Sequence, residues 1–169
     1  YRAEQMLHEP FVIGSRPRER LVPPRSDPAA TTGRLVVADV HHGRNMEGLK
    51  PGEIKSLLVL EQLPKPVNFS GVQQTISVNG TFTLKRILGT VPVEDDGSAY
   101  FEAPALRSLY FVALDEQGRT VKRMQSYCSV LPGETTSCVG CHEQRVETPR
   151  FAQPLRATAR SPSRIEPIA

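Results

Sequence analysis

Two acidic tetrapeptides that end in glycine, EDDG at 94–97 and DEQG at 115–118, do most to limit what this chain can fold into. Each separates apolar runs too short for helices, and the closing glycine can take the positive φ that a tight reversal needs. LGTVPV and SAYFEAP flank the first turn, and SLYFVAL and RTVKRM flank the second; all four read as strands. LYFVAL is apolar on both faces, as a strand in the middle of a sandwich would be. Upstream, GRLVVADVHHG is a β-branched run closed by glycine. IKSLLVLEQL has a helix-like leucine content, but Pro64 and Pro66 bound it tightly and favour a strand. Short strands at regular spacing with glycine turns predict an all-β fold, a β-sandwich of immunoglobulin or transthyretin-like type.

Proline marks the limits of that unit. Of fifteen prolines, five lie in the first 28 residues and four in the last 21. Residues 1–32 are therefore expected to form a linker or arm from a preceding domain, 33–146 the β-sandwich, and 147–169 an extended C-terminal tail. Arginines gather in the tails (SRPRER, then Arg156, Arg160 and Arg164), where a solvated arm is expected. The formal charge of +3 comes without a basic stripe interleaved with aromatics, so nucleic-acid binding is not expected. No apolar run approaches a membrane span. The chain opens on Tyr1, as a piece of a longer product would.

Chemistry concentrates in ETTSCVGCHEQR, residues 134–145. Cys138, Cys141 and His142 have the CxxCH spacing with which two thiols form thioethers to haem c and the adjacent imidazole reaches iron. Gly140 would let the backbone pass close to a porphyrin edge. Zinc is an alternative, with Cys128, His8, His41 and His42 as further donors, although no second CxxC is present. A thioredoxin-like redox pair would want a βαβ context, which is lacking. No methionine follows His142, so a second iron ligand must come from upstream: His41, His42, Met46, Met124 or Tyr127. In DVHHG the two imidazoles point to opposite faces of a strand, so one at most would face a site. Met46 and Met124 read more simply as core fillers, and Cys128 as a small buried hydrophobe. The NFS and NGT tripeptides match glycosylation sequons, which carry meaning only in a eukaryotic secretory context. The CxxCH segment is expected in a loop or short helix after the last strand.

Three segments in order, LVVADVHHGRNMEGLKPGEIKSLLVLEQL, GTVPVEDDGSAYFEAPALRSLYFVALDEQGRTVKRMQS and LPGETTSCVGCHEQR, resemble the middle domain of the hydrazine synthase alpha subunit. The similarity runs from about residue 34 to 145, and VPVEDDGSAYF through CVGCHE is its most specific part. It implies a haem c domain in a larger periplasmic or secreted bacterial protein, with a β-propeller upstream and a redox partner elsewhere. In that family hydrazine synthesis from nitric oxide and ammonium is shared among haems on several chains. There a tyrosine just downstream of the motif binds the middle-domain iron, and the motif histidine binds zinc. Here the residue four beyond His142 is Val146, so the tyrosine ligand does not carry over. Cys138, Cys141 and His142 do.

Two functions of different class follow. One is a c-type haem module for electron transfer or small-gas binding. The other is a non-catalytic spacer or interaction domain whose CxxCH holds zinc or nothing. Catalysis like that of hydrazine synthase would need further domains, and no serine–histidine arrangement, carboxylate pair or phosphate loop suggests hydrolysis.

Overall fold

A computed structural model describes residues 13–15, 18, 20–21, 23–64, 84–124, 126–143 and 154–168. His8, both sequons and Val146 lie outside them. Among the described residues the strands are β1 (Thr32–Asp39), β2 (Ser56–Leu63), β3 (Leu84–Pro92), β4 (Ala99–Pro104), β5 (Leu109–Leu114), β6 (Thr120–Arg123) and β7 (Thr135–Gly140). They form two sheets, β4-β1-β7 and β3-β2-β5-β6. All pairs are antiparallel except β1 with β7, which is parallel. The chain is a β-sandwich, as the strand spacing predicts.

Period-two alternation puts one face of each strand inside. Leu35 and Val37 of β1, Leu57 and Val59 of β2, Phe101 of β4 and Leu109 of β5 are buried between the sheets. Phe101 and Phe111 meet edge to face at 5.8 Å, joining one sheet to the other. Glu61 is the charged exception, buried on β2. It accepts from Arg86 and from Arg107 (2.9 Å), whose guanidiniums reach it from a half-exposed position. A buried carboxylate is tolerable only when so paired.

The two glycine turns take the expected positive φ, 81° at Gly97 and 73° at Gly118. They do different work. DEQG closes a hairpin between β5 and β6. EDDG instead carries the chain from one sheet to the other, since β3 and β4 belong to different sheets. Two strands around a turn look alike in sequence whether they pair or part; here Ala99–Pro104 finds its partner in β1.

The C-terminal residues also depart from expectation. Residues 154–168 lie along the sandwich, through a short 3-10 helix (Arg156–Ala159) with Ala157 fully buried. Glu166 exchanges backbone hydrogen bonds with Thr90 at 2.8 and 2.9 Å, adding to the edge of β3. Two of the three C-terminal arginines expected on a solvated arm are paired, Arg156 with Asp95 (3.2 Å) and Arg160 with Glu94 (2.7 Å). Both acids belong to the EDDG turn, so that turn is also the dock for the tail.

Asp96 anchors the dock by accepting from the Arg156 N–H (2.8 Å) and the Ser98 hydroxyl (2.6 Å). Burial pushes its carboxyl up, but the hydrogen bonds from Ser98 and Arg156 more than offset this and hold it below the ordinary value. A depressed folded-state pKa contributes stability that is complete above the ordinary carboxylate range and is lost as pH falls through the folded value. Protection of the Arg156 and Ala157 amides, measured against the exchange of the unfolded chain at the same pH, is expected to be high at neutral pH and to be lost in strong acid before that of the sandwich strands. Tail amides that open only together with those of β2 would contradict this.

Candidate haem-motif site

The CxxCH segment begins inside the last strand rather than after it. β7 is in parallel register with β1, pairing Cys138 with Val37 and Gly140 with Asp39. TTSCV is rich in residues that suit a strand, and the free edge of β1 supplies the partner, so pairing wins as far as Gly140. Only Cys141 and His142 lie beyond it.

What holds these residues is the turn that leaves β1. The Cys141 N–H donates to the His42 carbonyl at 2.6 Å, and the Arg44 N–H reaches the His142 carbonyl at 3.4 Å. The approach is too close for side chains. A β-carbon on Gly140 would overlap the His42 carbonyl oxygen, and one on Gly43 (φ 143°) would overlap that of Cys141. Two glycines, one from each segment, thus let the backbones touch. His142 then takes a φ of 67°, a left-handed conformation that a non-glycine residue holds only when its surroundings impose it. From the far side Glu143 folds back, its carboxylate accepting from the Val139 (3.1 Å) and Gly140 (3.3 Å) N–H groups.

The histidine pair therefore serves the motif through backbone. His41 is largely buried and committed elsewhere: Gly52 N–H donates to its Nε2 at 3.2 Å, which leaves the ring proton on Nδ1 to donate to Asp39 at 3.1 Å. His42 is exposed and contributes its carbonyl. Tyr127 is 57% exposed and lies apart from the motif's cleft. Sequence pattern does not reveal the Glu143 contact, because a carboxylate three or four residues past a strand can as easily face water.

A cleft of about 370 Å³ opens beside the motif. Cys141 and His142 line it with Arg44, Asn45 and Met46 from the turn after β1, and with residues 120–124 of β6 and its end. β4 lies against β3 at one edge of the sandwich, so β7 and β6 are the edge strands at the other, and the cleft lies there. Two of the sequence-nominated ligands, Met46 and Met124, are thus brought to the same cleft as His142. His41 and Tyr127 are not.

All three cysteines are free thiols and partly buried. Burial, then the Glu143 carboxylate, pushes Cys138 and Cys141 up, with Cys141 adding to the shift at Cys138. Cys128, bridged to Leu109 by two backbone hydrogen bonds (2.8 and 3.0 Å), is raised to about 11 by burial and then by Cys138. Cys128 therefore lies near Cys138, and Cys128 and Cys141 both pack against the hydrophobic core. Among the described residues no group of three or more His, Cys, Asp or Glu is arranged to hold a metal ion, so zinc would need a donor beyond them. No helix of the described residues is long and apolar enough to cross a membrane.

Residues 52–143, more than half of the chain, match the model of the hydrazine synthase alpha subunit middle domain family. The chain belongs to that family. A hydrazine synthase chain from Kuenenia stuttgartiensis is similar in structure, with a TM-score of 0.61 at 17% identity over 77% of this chain. At that identity the likeness speaks for the fold. This middle domain spans only 20% of the Kuenenia chain. No curated protein sequence matches it.

Two outcomes test this geometry. Gly140→Ala is expected to lower stability by about 1–3 kcal/mol, the range for forcing atoms into a packed site, and to raise amide exchange at Cys141. Denaturant unfolding that leaves the midpoint unchanged would show the backbone contact to be slack. For Cys128, a thiol raised from 9.0 to about 11 gives stability that is complete below the ordinary value and lost as pH rises through the folded one. Its alkylation by iodoacetamide, followed by peptide mass, is therefore expected to lag behind that of the unfolded chain and to climb up to about pH 11. A rate plateau reached near pH 9.0 would contradict the buried environment.

Proposed function

We propose that this middle domain carries a covalently attached c-type haem and serves as an electron-transfer or gas-binding module of a larger periplasmic or secreted protein. The observation that carries the reading is the cleft that receives both Cys141 and His142, with the Cys138 thiol close by in the strand that leads to it. The residues present suit the group in chemistry. Two reduced thiols three residues apart can form the thioethers, and the imidazole makes no hydrogen bond among the described residues that would withhold it from iron. Met46, Val121 and Met124 give the cleft an apolar lining, and two of them bring thioether sulfurs.

When bound, the haem would supply a one-electron couple and a coordination position at iron. The chain's own residues do the rest. Cys138 and Cys141 hold the porphyrin, and the His42–Arg44 turn and Glu143 fix the backbone that presents His142. The apolar lining limits water, which favours the less charged iron state and raises the potential. The missing tyrosine separates this domain from the family's tyrosine-ligated haem, so a histidine-ligated iron is the reading adopted. Attachment requires an oxidising compartment with dedicated machinery, which agrees with the proposed location.

Co-expression with haem-attachment machinery is expected to add the mass of one haem per chain, with a sharp reduced α-band. Cys138→Ala and Cys141→Ala are each expected to cut attachment sharply. A chain of unchanged mass whose thiols all remain alkylatable would overturn the proposal and favour the spacer role.

A further inference from the structure

The cleft has a charge that attachment alone does not use. Three of its lining residues, Arg44, Lys122 and Arg123, are cationic, and none is acidic. None of the three has an ion-pair partner among the described residues. Five arginines elsewhere on the domain are matched, Arg86 and Arg107 to Glu61, Arg119 to Asp115, Arg156 to Asp95 and Arg160 to Glu94, while Arg34 and Arg164 stand singly rather than around a concavity. Cations crowded around one concavity repel each other, and low-dielectric walls such as Met46, Val121 and Met124 focus that field into the cleft. The combination suits a ligand with an apolar body and carboxylates at its edge.

Placement sharpens this. Lys122 belongs to β6, the wall of the cleft that carries no cysteine, and it shares the inner face of the strand with its partner Ala113, whereas Arg123, opposite Val112, is on the outer face. Arg44 is on the other side, its N–H bonded to the His142 carbonyl. A haem carries its two propionates on the edge away from the vinyl groups that take up the thiols. From this we infer that Lys122, aided by Arg44, is the carboxylate anchor of the cleft and orients a porphyrin by its propionates. The inference rests on the haem reading above and assigns residues that the CxxCH motif does not.

Haemin and haemin dimethyl ester, whose propionates are uncharged, separate the two ideas. Each is titrated into the full chain with its thiols reduced, followed by the Soret band. Haemin is expected to bind roughly tenfold tighter than the ester, the return of two partly exposed ion pairs. The combined variant Arg44→Gln, Lys122→Gln is expected to lose that preference while binding the ester as the parent does. Equal binding of the two porphyrins by the parent chain would overturn the anchors but leave the haem reading standing. That outcome would point to an acidic segment of a neighbouring domain as the partner of these cations. A preference that survives in the variant would overturn the anchors likewise. If neither porphyrin binds, both the anchors and the cleft as haem seat fall.

Discussion

Everything distinctive about this domain depends on one backbone contact: the turn leaving β1 pressed against the end of β7. β1 and β7 run parallel, so their C-terminal ends finish side by side, Asp39 opposite Gly140. The segments that continue from them, HHGR and CHE, must then share the same space. Gly43 and Gly140 make that feasible, since each occupies a point where a β-carbon would strike the other segment's carbonyl. The gain is rigidity. A five-residue motif that would be mobile as a free loop is held by two backbone hydrogen bonds and the carboxylate of Glu143.

Much of the fold was legible because it follows from alternation and turn chemistry. Apolar periodicity located the strands, and glycine located both reversals. Which sheet a strand joins was not legible around EDDG, since local pattern is silent about a partner 60 residues upstream. The docking of residues 154–168 was hidden for a similar reason: their arginines look solvated until the acids of the EDDG turn are placed opposite them. Pairing of that kind is a property of three dimensions.

The site was legible in its chemistry and illegible in its support. Cys138, Cys141 and His142 announce themselves by spacing. The histidine pair draws the eye as metal donors, yet His41 is consumed between Asp39 and Gly52, and His42 gives a carbonyl to Cys141. Met46 is buried in the core, as read, and with Met124 it also lines the cleft beside His142. Tyr127 is exposed and is not among the residues that line it. Glycine was the available clue to the support, because a glycine on each of two segments that meet is the mark of backbone against backbone.

The central claim is one of place: a group held by this motif lies at the open edge of the sandwich, between β6 and β7. Paramagnetic mapping of the haem-loaded domain tests it most directly, since a ferric haem broadens amide signals steeply with proximity. The account predicts broadening centred on residues 44–46, 120–124 and 139–143, with β3, β4 and the docked tail unaffected. Broadening centred on the β3–β4 edge, or spread evenly along the chain, would contradict it.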